Sequence, residues 1–273
     1  MSRDDPRSAR RKIEPAEHRV ERELARAERD VERVGGPVWS RPEPGTRRAR
    51  FTREEIADAA LKIADAEGID AVSMRRVAGE LGAGTMTLYH YVRTKDELLA
   101  LMDNAIMGEV VIPDGQMPSG WREALTEIAR RSHAAFERHP WALDGLGGAQ
   151  IGPNAIRHME QSMVAVASID ADFATKMEII HLIDEYVFGH ALHKRAPGPR
   201  DPAEQEEWRR RALAYIDEEV ATGNFPHLSE LMPAGGMAEL WAQIEDGASD
   251  EQRFERGLRR VLDGIALEVE GPG

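Results

Sequence analysis

Cysteine is absent from all 273 residues. That excludes disulfides, thiolate chemistry and cysteine-ligated zinc, and it suits a reducing compartment. Long apolar runs are missing as well, none approaching the roughly 18 residues that a membrane helix needs. The opening MSRDDPRSARRK has no apolar h-region, so neither secretion nor a membrane span is expected and the chain is placed in the cytoplasm. No segment sustains the apolar/polar alternation of a half-buried strand, and an all-α fold follows. Catalytic signatures are lacking too: there is no GxSxG, no P-loop, no SxxK and no GxGxxG with an acidic partner. No enzyme activity and no cofactor are expected.

What is present is charge, unevenly spread. Residues 1–100 carry 20 Lys plus Arg against 19 acids, and residues 101–273 carry 16 against 30, within a total of −13. An acidic second half would weaken non-specific DNA binding, but the plainer reading, a solvated surface, is preferred. The apolar content of 41% is enough for a core, and the length suits one large or two moderate domains.

The most structured stretch runs from Phe51 to Met107. Thr52 with Glu55 forms a capping box, and Phe51 can staple onto Ile56. Ile56, Ala59, Ala60, Ile63 and Ala64 make one buried face, and Gly68 stops this first helix with a left-handed residue. Ser73 caps a second helix with Met74, Val77, Ala78 and Leu81 inward, stopping at Gly82. After the Gly82-Ala83-Gly84 turn, Thr85 opens a third short segment, TMTLYHYV. Two helices joined by a tight glycine turn make a helix-turn-helix. With Leu88 and Val92 buried, Thr85, Thr87, Tyr89, His90 and Tyr91 are left mostly outward, where a major groove offers base edges, thymine methyls and phosphates. Thr94 with Glu97 reads as a second capping box, opening a strongly apolar fourth helix. Lys95 in its first turn opposes the helix dipole, a cost that a bound phosphate would offset.

These residues carry a resemblance. The run from Phe51 to Met102 resembles the DNA-binding domain of the tetracycline-repressor (TetR) family, above all in the LYxxVxxKxxLL signature, here Leu88, Tyr89, Val92, Lys95, Leu98 and Leu99. The resemblance implies that the third helix is the recognition helix, that Thr85, Thr87, Tyr89, His90 and Tyr91 face DNA, and that Lys95 and Arg75 clamp the backbone. Met86, also counted on the DNA face, and His90 stand at positions that vary in the family, so the operator sequence does not carry over.

Upstream, residues 14–34 read as a helix with an apolar seam (Val20, Leu24, Ala27, Val31, Val34), an Arg stripe and a Glu face. The stripe could lie along phosphates; a solvated charged face is the preferred reading. Gly35, Gly36 and Pro37 end that helix, and WSRPEPGTRRAR follows as a linker. Its Arg47, Arg48 and Arg50 are expected to form a basic arm that grips phosphates or enters the minor groove. Three regions are therefore expected: an extension at 1–50, the helix-turn-helix domain at 51–111, and a helical effector-binding and dimerisation domain at 112–273.

In that last region, helices are expected over 121–139, 154–168, from Asp170 or Asp172 to about Arg195, from Pro202 to about Thr222, and from Ser249 or Asp250 to about Glu270, with short turns at 141–148 and 225–232. Length, helix order and the stretches HPWALDGL and GPNAIRHME resemble the regulatory domain of TetR regulators, especially a branch common in actinobacteria. That resemblance implies a homodimer made by packing the long eighth and last helices into a four-helix bundle, with an effector cavity in each subunit. Effector binding would shift the fourth helix and swing the recognition helices out of half-sites about 34 Å apart, so a repressor released by a small, hydrophobic molecule is expected.

His133, His158, Gln161, His181 and Asp184 lie on otherwise apolar helices and are the effector-binding candidates. For each, an ordinary hydrogen-bonded polar residue is the competing reading. His181 with Glu185, or His190 with His193, has a spacing compatible with metal, but HExxH is absent and such spacings recur on helices, so no metal is expected. The alternative to a sensor is a helical DNA-binding dimer whose C-terminal domain binds no ligand.

Overall fold

In the computed structural model, the residues described are 36–42, 51–145, 151–194 and 201–271. The expected helix over 14–34 and the arm residues Arg47, Arg48 and Arg50 lie outside them. Every regular element among the described residues is helical. None of these helices is long and apolar enough to cross a membrane. The chain divides into two compact units, Met1–Ala105 with Leu146–Pro153, and Ile106–Gly145 with Asn154–Gly273.

In the first unit, α1 spans Arg53–Glu67, and its capping box is complete: the Glu55 N–H donates to Thr52 Oγ1 at 3.0 Å, and the Thr52 N–H donates to the Glu55 carboxylate at 2.7 Å. Ile56, Ala59, Ala60, Ile63 and Ala64 are all buried. Gly68 ends the helix with φ 86° and ψ 162°, a positive-φ extended conformation rather than the expected left-handed helical one. A 3-10 turn at Ile69–Ala71 follows, and Ser73 then caps α2, Met74–Glu80, by accepting the Arg76 N–H. The end of α2 is a Schellman motif, in which the Ala83 N–H reaches Ala78 O and the Gly82 N–H reaches Gly79 O. Gly82 sits at φ 62° to allow it, a backbone angle that a side chain would strain. Short α3, Thr85–Leu88, comes next, and then α4, Lys95–Val110, inside which the division between units falls.

Two features of this unit differ from expectation. The second capping box is half formed: the Glu97 N–H donates to Thr94 Oγ1 at 3.1 Å, but the Glu97 carboxylate accepts the Arg93 N–H at 2.7 Å and the Arg41 guanidinium at 2.6 Å. The segment read as a linker is also anchored. Val38–Ser40 forms a 3-10 turn with Val38 fully buried, and Arg53 donates to Arg41 O at 3.0 Å. A buried carboxylate needs a cation and hydrogen bonds to offset desolvation. Glu97, 1% exposed, obtains its cation from a residue far upstream.

In the second unit, α5 (Trp121–Arg138), α6 (Ala142–Gly145), α7 (Pro153–Val166) and α8 (Phe173–Lys194) are followed by α9 (Pro202–Ala221), α10 (Pro226–Leu231), α11 (Gly236–Asp246) and α12 (Asp250–Val269). Of the two possible caps for α8, Asp172 is the one used, accepting the Thr175 N–H at 2.8 Å. Ser249 caps α12 through a complete capping box. The core gathers Leu125, Ile128, Ile179, Ile183, Phe254, Leu258 and Leu262 from α5, α8 and α12. Each such side chain contributes about 1.5–3 kcal/mol by leaving water. Arg122–Asp263 and Arg130–Glu255 ion pairs tie α5 to α12 at the rim. Helix α11 was not expected, although Met237, Leu240, Trp241 and Ile244 recur at i, i+3, i+4 and i+7. The glycines on both sides of it read as a loop and masked that periodicity.

Candidate nucleic-acid interface

The interface is built from α2, its glycine turn and α3. Leu88 and Val92 are buried completely, which orients α3. On the opposite side Met86 is 75% exposed and Tyr89 42%; Thr85 and Thr87 are half-buried, and His90 is exposed. Among the described residues, no side-chain hydrogen bond or ion pair engages Thr85, Thr87, Tyr89 or His90. Two hydroxyls, a phenol, an imidazole and a thioether therefore share one short exposed face.

Tyr91, expected on that face, is a correction: it is 3% exposed. After Leu88 the chain tightens into i→i−3 bonds, with the Tyr91 N–H on Leu88 O at 2.9 Å and the His90 N–H on Thr87 O at 3.2 Å. In that geometry residues three apart eclipse one another, so Tyr91 follows Leu88 inward. Its hydroxyl oxygen accepts the Phe51 N–H at 3.3 Å. Tyr91 thus holds the entry to α1.

The flanking cations fall into two groups. Arg76 bonds Glu67 at 2.7 Å and Glu80 at 3.5 Å, contacts that raise its pKa, Glu67 foremost. It fastens α2 to α1. Its neighbour Arg75 is exposed and has no ion pair among the described residues, and the same holds for Lys95 at the start of α4. Lys95 lies beside first-turn amides and Thr94, a place where a helix N-terminus and an ammonium group suit a phosphate.

The effector candidates occupy separate surroundings in the second unit. His133, buried, stacks on Phe254 at 4.0 Å between ring centroids and meets His190 at 5.1 Å. Burial lowers its pKa. Gln161 bonds the Ile112 backbone with both ends of its amide, accepting the Ile112 N–H at 2.9 Å and donating to Ile112 O at 2.7 Å, so it braces the chain after α4. His158 is half-buried with an unpartnered Nδ1, and its pKa is lowered by burial. His181 is exposed, whereas burial pushes the carboxyl of nearby Asp184 up to about 6. An open groove of about 340 Å³ lies instead between α9 and α11, lined by Leu213, Asp217, Ala238 and Trp241 among others. None of the five candidates borders it.

Residues 56–102 match the model described as bacterial regulatory proteins, tetR family. Residues 114–269 match the tetracyclin repressor-like C-terminal domain. The chain belongs to the tetR family. Among its tetR-family relatives, it is 35% identical over 245 residues to the HTH-type transcriptional repressor DrrR1 of Streptomyces coeruleorubidus, covering 88% of this chain and 87% of that protein. Apo ActR from Streptomyces coelicolor superposes with a TM-score of 0.59 at 28% identity, covering 82% of this chain and 97% of that one. ActR solved in complex with actinorhodin gives a TM-score of 0.59 at 29% identity, covering 81% and 98%. The chain is thus a helix-turn-helix transcriptional regulator of the tetR type. What sequence reasoning missed is the pairing of Arg41 with Glu97, which holds the turn before α4 from within; no local pattern couples positions so far apart.

Proposed function

We propose that this tetR-family regulator is a cytoplasmic homodimeric repressor that reads an operator through the outward face of α3 and leaves it when a small, mainly hydrophobic effector binds the second unit. The observation that carries the DNA reading is the unengaged face of Thr85, Met86, Thr87, Tyr89 and His90, flanked by Arg75 and Lys95 without ion pairs. Exposed aromatic and thioether groups gain little in water, whereas a major groove supplies thymine methyls, acceptors and phosphates for each. Arg47, Arg48 and Arg50 are proposed as a basic arm just ahead of α1, and the division at 51–111 and 112–273 as the working domains.

Dimerisation is proposed through α8 and α12. Phe173, Leu182 and Leu192 on α8, and Leu267 on α12, are all exposed large apolar residues, and an isologous contact would cover them. The effector reading rests on the similarity to ActR, which binds actinorhodin, and on DrrR1 being a repressor. Nothing in the site resembles a nucleophile with its base, so binding rather than catalysis is the proposed activity. His133, His158, His181 and Asp184 are proposed as polar points near an effector; Gln161 is better explained by its bonds to Ile112.

The test is a fluorescence-anisotropy titration against the upstream intergenic duplex, with a scrambled duplex as control, over a salt series. Two protomers per site, or a multiple, and roughly 10³-fold preference or more is the expected result. Equal weak binding to both duplexes would reduce the chain to a backbone-binding dimer. Failure of every hydrophobic small molecule tried to release the specific complex would favour a second unit that only dimerises.

A further inference from the structure

Three side chains from three helices of the second unit converge. His133 on α5, His190 on α8 and Asp250 at the start of α12 place one donor atom each within 4.8 Å of one another. The His133 Nε2, His190 Nε2 and Asp250 Oδ2 atoms are all buried and none makes a well-aligned hydrogen bond; the nearest charges are the Lys194 ammonium, 3.2 Å from Asp250 Oδ2, and Asp250 Oδ1 itself, 3.4 Å from His190 Nε2. Burying three polar atoms in one place without well-aligned hydrogen bonds is costly, and such groups are ordinarily better matched. The rings are held in position: His133 stacks on Phe254 at 4.0 Å, and His190 meets Phe254 edge-on at 5.2 Å. Both imidazoles therefore present Nε2 from a fixed ring plane.

We infer that His133, His190 and Asp250 form a binding site for a first-row divalent metal ion, zinc foremost. Two imidazole nitrogens and one carboxylate oxygen are a donor set suited to zinc, with a fourth position left for water or an exogenous ligand. Metal–donor bonds of about 2.0–2.2 Å place tetrahedral donors roughly 3.3 Å apart. The His190 Nε2 to Asp250 Oδ1 distance is 3.4 Å, already at that separation. The competitor is Lys194, whose ammonium lies 3.2 Å from Asp250 Oδ2 and also pairs with Glu137. Metal entry displaces that ammonium from Asp250, and Glu137 retains it. Arg253 Nη2, 3.3 Å from Asp250 Oδ1, swings outward from an exposed position. A bound cation would clamp α5, α8 and α12 together through residues far apart in the chain, which is why no local spacing announces the site.

The test uses the full chain after chelator treatment, titrated with zinc against a competing indicator, and with cobalt in its place for absorption. One equivalent of zinc per chain is expected, with affinity falling at least about tenfold in His190→Gln and in Asp250→Asn and unchanged in His193→Ala, a control at an exposed histidine. Zinc should raise the melting temperature of the wild type and not of the two variants. Should Asp250→Asn or His190→Gln fail to fold, the cobalt spectrum of the wild type decides: intense tetrahedral d–d absorption supports the site. A weak octahedral spectrum, no stoichiometric zinc binding, or binding lost in His193→Ala but retained in His190→Gln would overturn it.

Discussion

On α3 the first unit leaves polar groups unengaged by the rest of the molecule, whereas the helical core of the second unit takes several of its polar groups inward. On α3, two threonines, a tyrosine and a histidine are unengaged by any other side chain among the described residues. In the second unit Gln161 is spent on the Ile112 backbone, His133 lies on Phe254, and Tyr186 donates to Phe254 O at 2.7 Å. A surface built for a polymer with a regular groove must keep its side chains free. A bundle must satisfy each polar group it buries. The difference separates the proposed DNA-binding face from the packed core.

Glu97 is where the first unit behaves like the second, and it should give the largest effect. Replacing it with Leu removes the buried carboxylate that the Arg41 guanidinium meets at 2.6 Å and the Arg93 N–H at 2.7 Å, a loss of about 3–5 kcal/mol in urea-monitored stability. Glu97→Gln keeps an acceptor for the Arg93 N–H and should cost less. Equal stability of Glu97→Leu and wild type would remove the anchored role of the segment around Arg41.

Tyr89→Ala sharpens the comparison from the other side. It should weaken operator binding by about 1–3 kcal/mol per half-site, the size of a mismatched base pair, with an unchanged melting temperature. Tyr91→Phe, two residues on, should instead lower stability by about 0.5–1.5 kcal/mol through the lost bond to the Phe51 N–H, and leave operator contacts intact in the folded protein.

Asp184 tests the inward character of the second unit by pH. Its folded pKa, about 6, lies above the ordinary 3.8, so its ionised form is disfavoured in the fold. The penalty is absent below the unfolded pKa, grows as pH rises between the two values and is fully present above about 6. Asp184→Asn should therefore raise the melting temperature at pH 7.5 and leave it nearly unchanged at pH 4. A gain of the same size at both pH values would assign the effect to something other than ionisation.

The smallest effect is expected at Lys95. Lys95→Ala should reduce the salt slope of operator binding by about 1 while keeping sequence preference, and Arg75→Ala should behave alike. Arg76→Ala, by contrast, should act through the stability of the α1–α2 pair, since its guanidinium is already paired with Glu67 and Glu80.

The helix-turn-helix was legible because its signals are local. The Thr52–Glu55 box, the Ser73 cap and the Gly82 stop each lie within a few residues of what they control, and all three are present as read. Tyr91 was misplaced because a continued α-helix was assumed where the chain tightens by one bond. The same limit hid the partner of Glu97, since a Thr-x-x-Glu pattern says nothing of an arginine 56 positions away. In the second unit the helices could be read from caps and periodicity, α11 excepted, but the surroundings of single polar residues could not. Whether Gln161 faces a ligand or Ile112 depends on how α7 lies against the chain after α4, and that is set by packing over the whole unit.

The central claim is that the outward face of α3 reads base edges while Arg75 and Lys95 hold the backbone. The most direct measurement is a parallel titration of wild type and Tyr89→Ala on the upstream duplex and on its scramble at one salt concentration. The account predicts that the variant loses affinity for the upstream duplex alone, so that the ratio of the two affinities falls toward one. A ratio preserved in Tyr89→Ala, with both affinities intact or lowered equally, would contradict it.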